Sequence, residues 1–474
     1  MRKSCIRIVA FGLILCIILL KINSIFKFKY SDGIYGLTKF YELEDDTVDV
    51  LVLGSSHAFE DVNTGVLWEK YGISSFDLCG SIQPLWNTYY YLKEALKTQT
   101  PELIVLEGYA TCIPNEYMDD SRIIKNTYGM HWSKDKLDAI RVSAPKERWS
   151  EFILEYEQYH TRYRELSDAD FIENQNYRLY DDWKGFGCAL TTSPQETIDV
   201  SGITDKLPLC EKAEKYYRMI LNLAKDREIP IVVIISPYAG ITENDQMLFN
   251  TAKEIAEEYD VAFKNFNLDY AEIGLDYSTD AADIAHLNYK GNQKFTTYLG
   301  KYLKGNFNIS DHRGDSKYAS WQRNADYINQ IIADQELVES TNLDEIPERL
   351  NNENYWIAIS VDGTCSTSDE NIKGFLNQLG IYDESVNGIW IRENNTITWK
   401  TGESANLNIS TSAHDFSLTR SYDENGIYNN AVIIDNIQYK KVINGVNITV
   451  YDKKTEKIAD SFGIDMDNGY QIVR

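Results

Sequence analysis

With 474 residues, the chain is about three times as long as a typical single domain, so two or more folding units are expected. Lys and Arg number 47 against 72 Asp and Glu, and the resulting net charge of −25 repels polyanions, which excludes nucleic acid as a partner. A hydrophobic content of 43% excludes a mainly disordered chain, and seven scattered cysteines without a CxxC pair exclude a disulfide scaffold and a zinc ribbon.

Residues 1–30 open with Arg2, Lys3 and Arg7, followed by an unbroken apolar run over 8–20. A basic segment before an apolar one is the architecture of an export signal. No small-x-small cleavage site follows, and Ile22, Ile25 and Phe26 lengthen the run if Lys21 snorkels. An uncleaved signal anchor is therefore favoured over a removed signal peptide. Lys21, Lys27 and Lys29 balance the basic residues of the other flank, so charge alone does not fix orientation. The expectation is a single-pass cell-membrane protein, held through its N-terminal helix, with an extracytoplasmic body.

Across 31–305, short β-branched runs alternate with helical periodicity. Strands are predicted at 48–53 (VDVLVL), 73–78 (ISSFDL), 103–106 (LIVL), 231–235 (IVVII) and 261–266 (VAFKNF), and helices at 86–97, 211–226, 246–259 and 289–303. This βαβα order implies a parallel sheet in a three-layer α/β/α fold. Trp68, Trp86 and the Tyr89-Tyr90-Tyr91 run fall in helical patterns and read as packing residues. Between about 110 and 206 the strand rhythm stops, and a helical insertion is expected over the carboxyl edge of the sheet. It carries Trp132, Trp149, Tyr156, Tyr159, Tyr163, Tyr180 and Trp183, which either stack on sugar rings or pack a small core of their own, the second being favoured. Residues 306–353 read as a helical connector. The last segment, 354–474, is a β-rich α+β domain with alternating strands at 356–361, 388–391, 396–399, 431–434 and 446–451, each exposed on one face, and a helix near 369–379.

Two short motifs carry chemistry. The first strand ends in Gly54-Ser55-Ser56-His57, which places a serine at a strand-to-helix turn with backbone N–H groups beside it. Asp283-Ile284-Ala285-His286 precedes the last helix of the same domain. A spacing of three lets Asp283 accept from His286 Nδ1–H and leaves Nε2 free to take a serine proton. Each motif alone is weak, since such serines more often cap helices and turn histidines are more often solvated. Together they form the two ends of a nucleophile–base–acid set. His57 adds no third histidine or HxxE spacing, so no metal is expected, and serine acyl transfer needs no cofactor.

VLVLGSSHA, SFDLCGSIQPLW, PELIVLEGY and DIAHLNYKG, spanning about 46–305, resemble the SGNH/GDSL hydrolase superfamily and its exported acyl-transfer branch. That branch includes alginate O-acetyltransferases and the teichoic-acid D-alanyl transfer protein. The resemblance implies Ser56 as nucleophile, His286 as base and Asp283 as its orienting acid. Ser55 replaces the aspartate of Gly-Asp-Ser-Leu. The oxyanion glycine falls within 80–82, where Gly80 is the one glycine, and Glu107-Gly108-Tyr109 stands where Gly-x-Asn is usual. The asparagine donor is thus missing, leaving the N–H groups of Ser56 and Gly80 and the Tyr109 hydroxyl as oxyanion candidates. Residues 355–379 and 444–465 resemble the interleukin-like EMT inducer (ILEI/PANDER) domain, a carbohydrate-binding accessory module in some enzymes, with the two segments in the opposite order. The resemblances imply a cell-surface serine esterase or O-acyltransferase acting on acyl, above all acetyl, esters of a surface glycan. A transferase would draw its acyl group from a multipass membrane acyltransferase. The alternative is a non-catalytic carbohydrate-binding or adhesion protein on a degenerate scaffold.

Overall fold

Five short strands, β1 (Val50–Gly54), β2 (Ser75–Cys79), β3 (Leu103–Glu107), β4 (Ile231–Ile235) and β5 (Ala262–Asn265), pair in parallel in the order β2-β1-β3-β4-β5. The computed structural model describes residues 2–28, 31–171, 183–364, 369–382, 389–393, 396–400, 405–410, 414–422, 424 and 427–474. These divide into two compact units, Met1–Asp326 and Tyr327–Arg474.

β1 to β4 are buried along their whole length because apolar side chains leave both faces of the sheet. Leu51, Leu53, Ile104, Leu106 and Val233 enter one core, which also takes Trp68, Trp86, Tyr91 and Tyr217. Val50, Val52, Leu103, Val105, Val232 and Ile234 enter a second, with Leu67, Phe295, Leu299 and Leu303. Alternate residues thus feed two helical layers. Helices Leu85–Ala95 and Glu211–Asp226 cover one face, and Tyr289–Asn306 covers the other. The strand order reverses between β1 and β3, and the crevice beyond the carboxyl ends of these strands is where folds of this type bind ligands.

Within 110–206, helices including Asp120–Lys125, Lys134–Ser143 and Glu155–Tyr159 form, and no strand occurs among the described residues. Ile123, Tyr128, Ile140, Phe152 and Tyr159 close a core of their own, joined by Ile34. Trp183 is buried, whereas Trp132 and Tyr163 are exposed. Tyr180 and the side chain of Tyr156 lie outside the described residues. The connector predicted at 306–353 is not a free-standing segment. Tyr318, Trp321 and Ala325 belong to a core of the first unit, and Leu337, Ile346 and Leu350 to one of the second.

The second unit contains β6 (Tyr355–Asp362), β7 (Ile389–Glu393), β8 (Thr396–Lys400), β9 (Ala405–Ser410), β10 (Asp415–Tyr422), β11 (Tyr428–Ile434), β12 (Ile437–Gln438), β13 (Gly445–Asp452), β14 (Lys457–Asp465) and β15 (Gln471–Val473). They build two antiparallel sheets, β15-β14-β13-β6-β7-β8 and β12-β11-β10-β9. The expectation of strands exposed on one face is overturned for β6 and β13, which are almost wholly buried. Ile357, Ile359 and Val361 face the helix Glu370–Gln378, while Ala358 faces Leu418 and Val432 of the second sheet. Polar residues survive on the buried strands because Asp362 joins them, accepting hydrogen bonds from Ser360 Oγ, Asn430 N, Asn447 Nδ2 and Lys440 Nζ at 2.7–2.9 Å.

At the N-terminus, Arg2–Phe26 is one helix, and its stretch Val9–Phe26 is long and apolar enough to cross a membrane, with a mean hydropathy of 2.4 and none of it buried in the protein.

Candidate active site

The turn after β1 needs a glycine. A Cβ on Gly54 would stand 2.7 Å from Glu107 Cβ and 3.1 Å from Ala58 Cβ, closer than real Cβ contacts allow. Passing under β3 at this distance, the chain enters the short helix Ser56–Phe59. Ser236 Oγ, just beyond β4, donates to the His57 carbonyl at 3.0 Å and holds that helix from the other side.

Asp283 organises the opposing turn. Its Oδ1 accepts from the N–H groups of Ala285 (2.7 Å) and His286 (2.9 Å), which curls the chain so that both carboxylate oxygens reach His286 Nδ1, at 3.1 and 3.0 Å. Burial pushes the Asp283 carboxyl up, but the hydrogen bonds from the His286 ring and from these N–H groups outweigh it and hold its pKa below the ordinary value. With the proton on Nδ1, His286 Nε2 accepts from Ser56 Oγ at 2.8 Å. Three further bonds seat the turn: Leu287 N donates to Asp61 Oδ1 (2.9 Å), Gly240 N donates to the Ile284 carbonyl (2.8 Å), and Ala282 N donates to the His286 carbonyl (2.9 Å). Asp61 is itself tied to the helix Tyr289–Asn306, because Thr296 Oγ1 donates to its carbonyl at 3.0 Å.

The structure therefore brings Ser56, His286 and Asp283 together. Gly80 follows Cys79, the register partner of Gly54, and so lies at the same sheet edge as Ser55 and Ser56. A Cβ there would collide with Asn126 Oδ1, so the insertion packs directly against this glycine. Tyr109 lies against the His57 side of the Ser56 helix. Its ring stacks on His57 with centroids 3.9 Å apart, and among the described residues no hydrogen bond links it to Ser56 or His286. Burial pushes the Tyr109 phenol up to about 12, with Asp245, Cys112 and Glu107 adding to the rise.

Four neighbours complete the surroundings, and two of them, Glu60 and Asp32, lie in no motif of the sequence. Glu60 Oε2 stands 3.8 Å from His286 Nδ1, a second carboxylate beside the base. His57 is buried between the Tyr109 ring and the edge of Tyr238, with Nδ1 unpartnered. Its burial, with the His286 charge adding to it, lowers its pKa to about 3, so it stays neutral. Asp32 Oδ2 accepts from Ser81 N at 2.9 Å, linking the segment after the N-terminal helix to the loop that holds Gly80. The fourth is Glu107, whose place was legible but whose charge was not. A fully buried carboxyl with Oε2 unpartnered, it has its pKa raised by burial to about 8, against hydrogen bonds from the N–H groups of Tyr109 and Ser236. At neutral pH it is mainly the uncharged acid.

Such a set can move a proton from a serine hydroxyl to an imidazole whose charge a carboxylate stabilises, which is the first step of acyl transfer. No family model and no curated protein matches this chain.

Proposed function

We propose that this protein is a membrane-anchored serine esterase or O-acyltransferase acting on acyl esters of a cell-surface polysaccharide. The observation that carries the reading is the continuous Asp283–His286–Ser56 hydrogen-bond relay at the carboxyl edge of a parallel sheet. The blocks that resemble the SGNH superfamily supply the same three residues in the same roles. In this reading His286 takes the Ser56 proton as Oγ attacks the acyl carbonyl. The oxyanion is met by the Ser56 and Gly80 N–H groups, and the proton passes to the leaving oxygen, giving an acyl-serine. Water then resolves it in a hydrolase, and a sugar hydroxyl in a transferase.

Glu107 removes one objection. A carboxylate in the third block would oppose the oxyanion, whereas an acid with a pKa of about 8 brings no charge near it at pH 7. The helix Val9–Phe26 would anchor the chain with its body outside the cytoplasmic membrane, and the second unit would hold glycan. The net charge of −25 favours a neutral or amino-bearing glycan over a strongly anionic one.

The second reading is a non-catalytic adhesion protein. It is favoured by Glu107-Gly108-Tyr109, where the side-chain amide donor of the related enzymes is absent. Release of 4-nitrophenol from its acetate ester separates the two. Catalysis by the wild type and background from Ser56→Ala support the enzyme, and equal background from both supports adhesion.

A further inference from the structure

The end of the N-terminal helix is not bare. Arg162 Nη1 donates to the carbonyls of Phe26 (2.9 Å) and Lys27 (2.7 Å), closing the C-terminal end of the helix, and its Nη2 pairs with Asp170 at 2.9 Å. Held in this way, the 159–164 segment of the insertion runs beside the last turns of the helix. A groove of about 480 Å³ lies between them, lined by Leu19, Leu20, Ile22, Phe26, Tyr159 and Tyr163, with Asn23 as its one amide.

Length fixes the depth of this groove. At ~1.5 Å per residue, the 19 residues that lie between Arg7 and Lys27, Ile8 to Phe26, reach only about 28 Å, just short of a hydrocarbon core of roughly 30 Å. A helix that crosses has no turn to spare, so Phe26 must stand at the boundary and Leu19, Leu20 and Ile22 inside it, with Lys21 snorkelling to the interface. Whatever lies level with Leu19 is also in lipid. From this we infer that the 159–164 segment dips into the bilayer interface and that the groove holds an acyl chain of a membrane phospholipid.

The side chains at the rim fit such an occupant. Tyr163 is 57% exposed, and nearby Leu154 and Phe171 are exposed as well, a cost in water but not in lipid. Tyrosine is the residue type favoured where hydrocarbon meets headgroup. Arg164 stands over the Tyr163 ring, 5.1 Å from its centroid, with Nε donating to the hydroxyl at 2.6 Å, placing a cation at headgroup level for a phosphate.

This inference rests on the membrane-anchor reading, and one experiment tells their failures apart. The full-length chain is placed in phosphatidylcholine vesicles carrying brominated acyl chains, and the tryptophan emission added by Tyr163→Trp is compared with that added by Leu13→Trp. Loss of the added emission in both variants, with iodide in the water unable to quench Tyr163→Trp, is the expected result. If Leu13→Trp is quenched by the lipid while Tyr163→Trp is quenched only by iodide, the anchor stands and the inference falls. If neither responds to the brominated lipid, both fall.

Discussion

Ser56 and His286 are 230 positions apart in the chain and 2.8 Å apart in the structure. Asp61 accounts for that meeting. It follows the Ser56 helix, accepts from Leu287 N, and takes a bond from Thr296 on the helix Tyr289–Asn306, so the serine and histidine turns are bolted to one another. The site belongs to the scaffold rather than to a mobile loop, and that rigidity is what proton transfer across a single hydrogen bond requires.

Asp283→Asn should keep the fold and lose activity. An amide cannot stabilise the imidazolium and can fix the wrong tautomer, so ester cleavage should fall by about 10²- to 10⁴-fold with the melting temperature nearly unchanged. Steady-state rates beside a thermal melt check this.

Glu107 and His57 give opposite pH signatures. Glu107 has a folded pKa of about 8, above its unfolded value, so the stability it contributes is complete at low pH and is lost as pH rises through 8. His57, with a folded pKa of about 3, contributes stability above its unfolded value near 6.5 that is lost as pH falls toward 3. Melting temperatures across pH should show Glu107→Gln removing a decline that runs from about 4.5 to 8, and His57→Phe removing a loss that runs from about 6.5 down to 3. Ester cleavage by the wild type should also fall above pH 8 as the Glu107 carboxylate forms, and Glu107→Gln should hold its rate there.

Gly54→Ala adds a methyl 2.7 Å from Glu107 Cβ and 3.1 Å from Ala58 Cβ. Neither neighbour has a flexible end to move aside, so the Ser56 turn itself must shift. Overpacking of this kind costs about 1–3 kcal/mol, and because the shift breaks the 2.8 Å bond to His286, the rate should fall further than stability does. Melting and kinetics on the same preparation decide it.

In the second unit, Asp362→Ala leaves Lys440 Nζ, which pairs with Asp362 at 2.8 Å, without its buried partner. Losing one side of a buried pair costs about 3–5 kcal/mol. Denaturant unfolding of the full chain should show a transition of the second unit moved to lower denaturant, with ester cleavage by the first unit retained.

Much of the first unit was legible because parallel strands announce themselves. Val50–Gly54, Leu103–Glu107 and Ile231–Ile235 are apolar runs buried on both faces, and the runs VDVLVL, LIVL and IVVII mark them directly. The turns that bring Ser56, His286 and Asp283 together were legible because short local spacings mark them. The rest depends on distant neighbours. Glu60 reaches His286 only through the fold, and the charge of Glu107 depends on burial that no local pattern encodes. Nothing around Tyr109 in sequence signals the His57 ring on which it stacks. The same limit hid the second sheet of the C-terminal unit, whose partner face buries the side of β6 expected to meet water.

In the proposed reaction Ser56 is the nucleophile and becomes acylated. Treating the full-length chain with a fluorophosphonate and mapping the adduct by mass spectrometry tests it most directly. One adduct is expected, on Ser56, its formation slowed in His286→Ala and absent in Ser56→Ala. Equal labelling of the wild type and Ser56→Ala, or no labelling of the wild type, would contradict it.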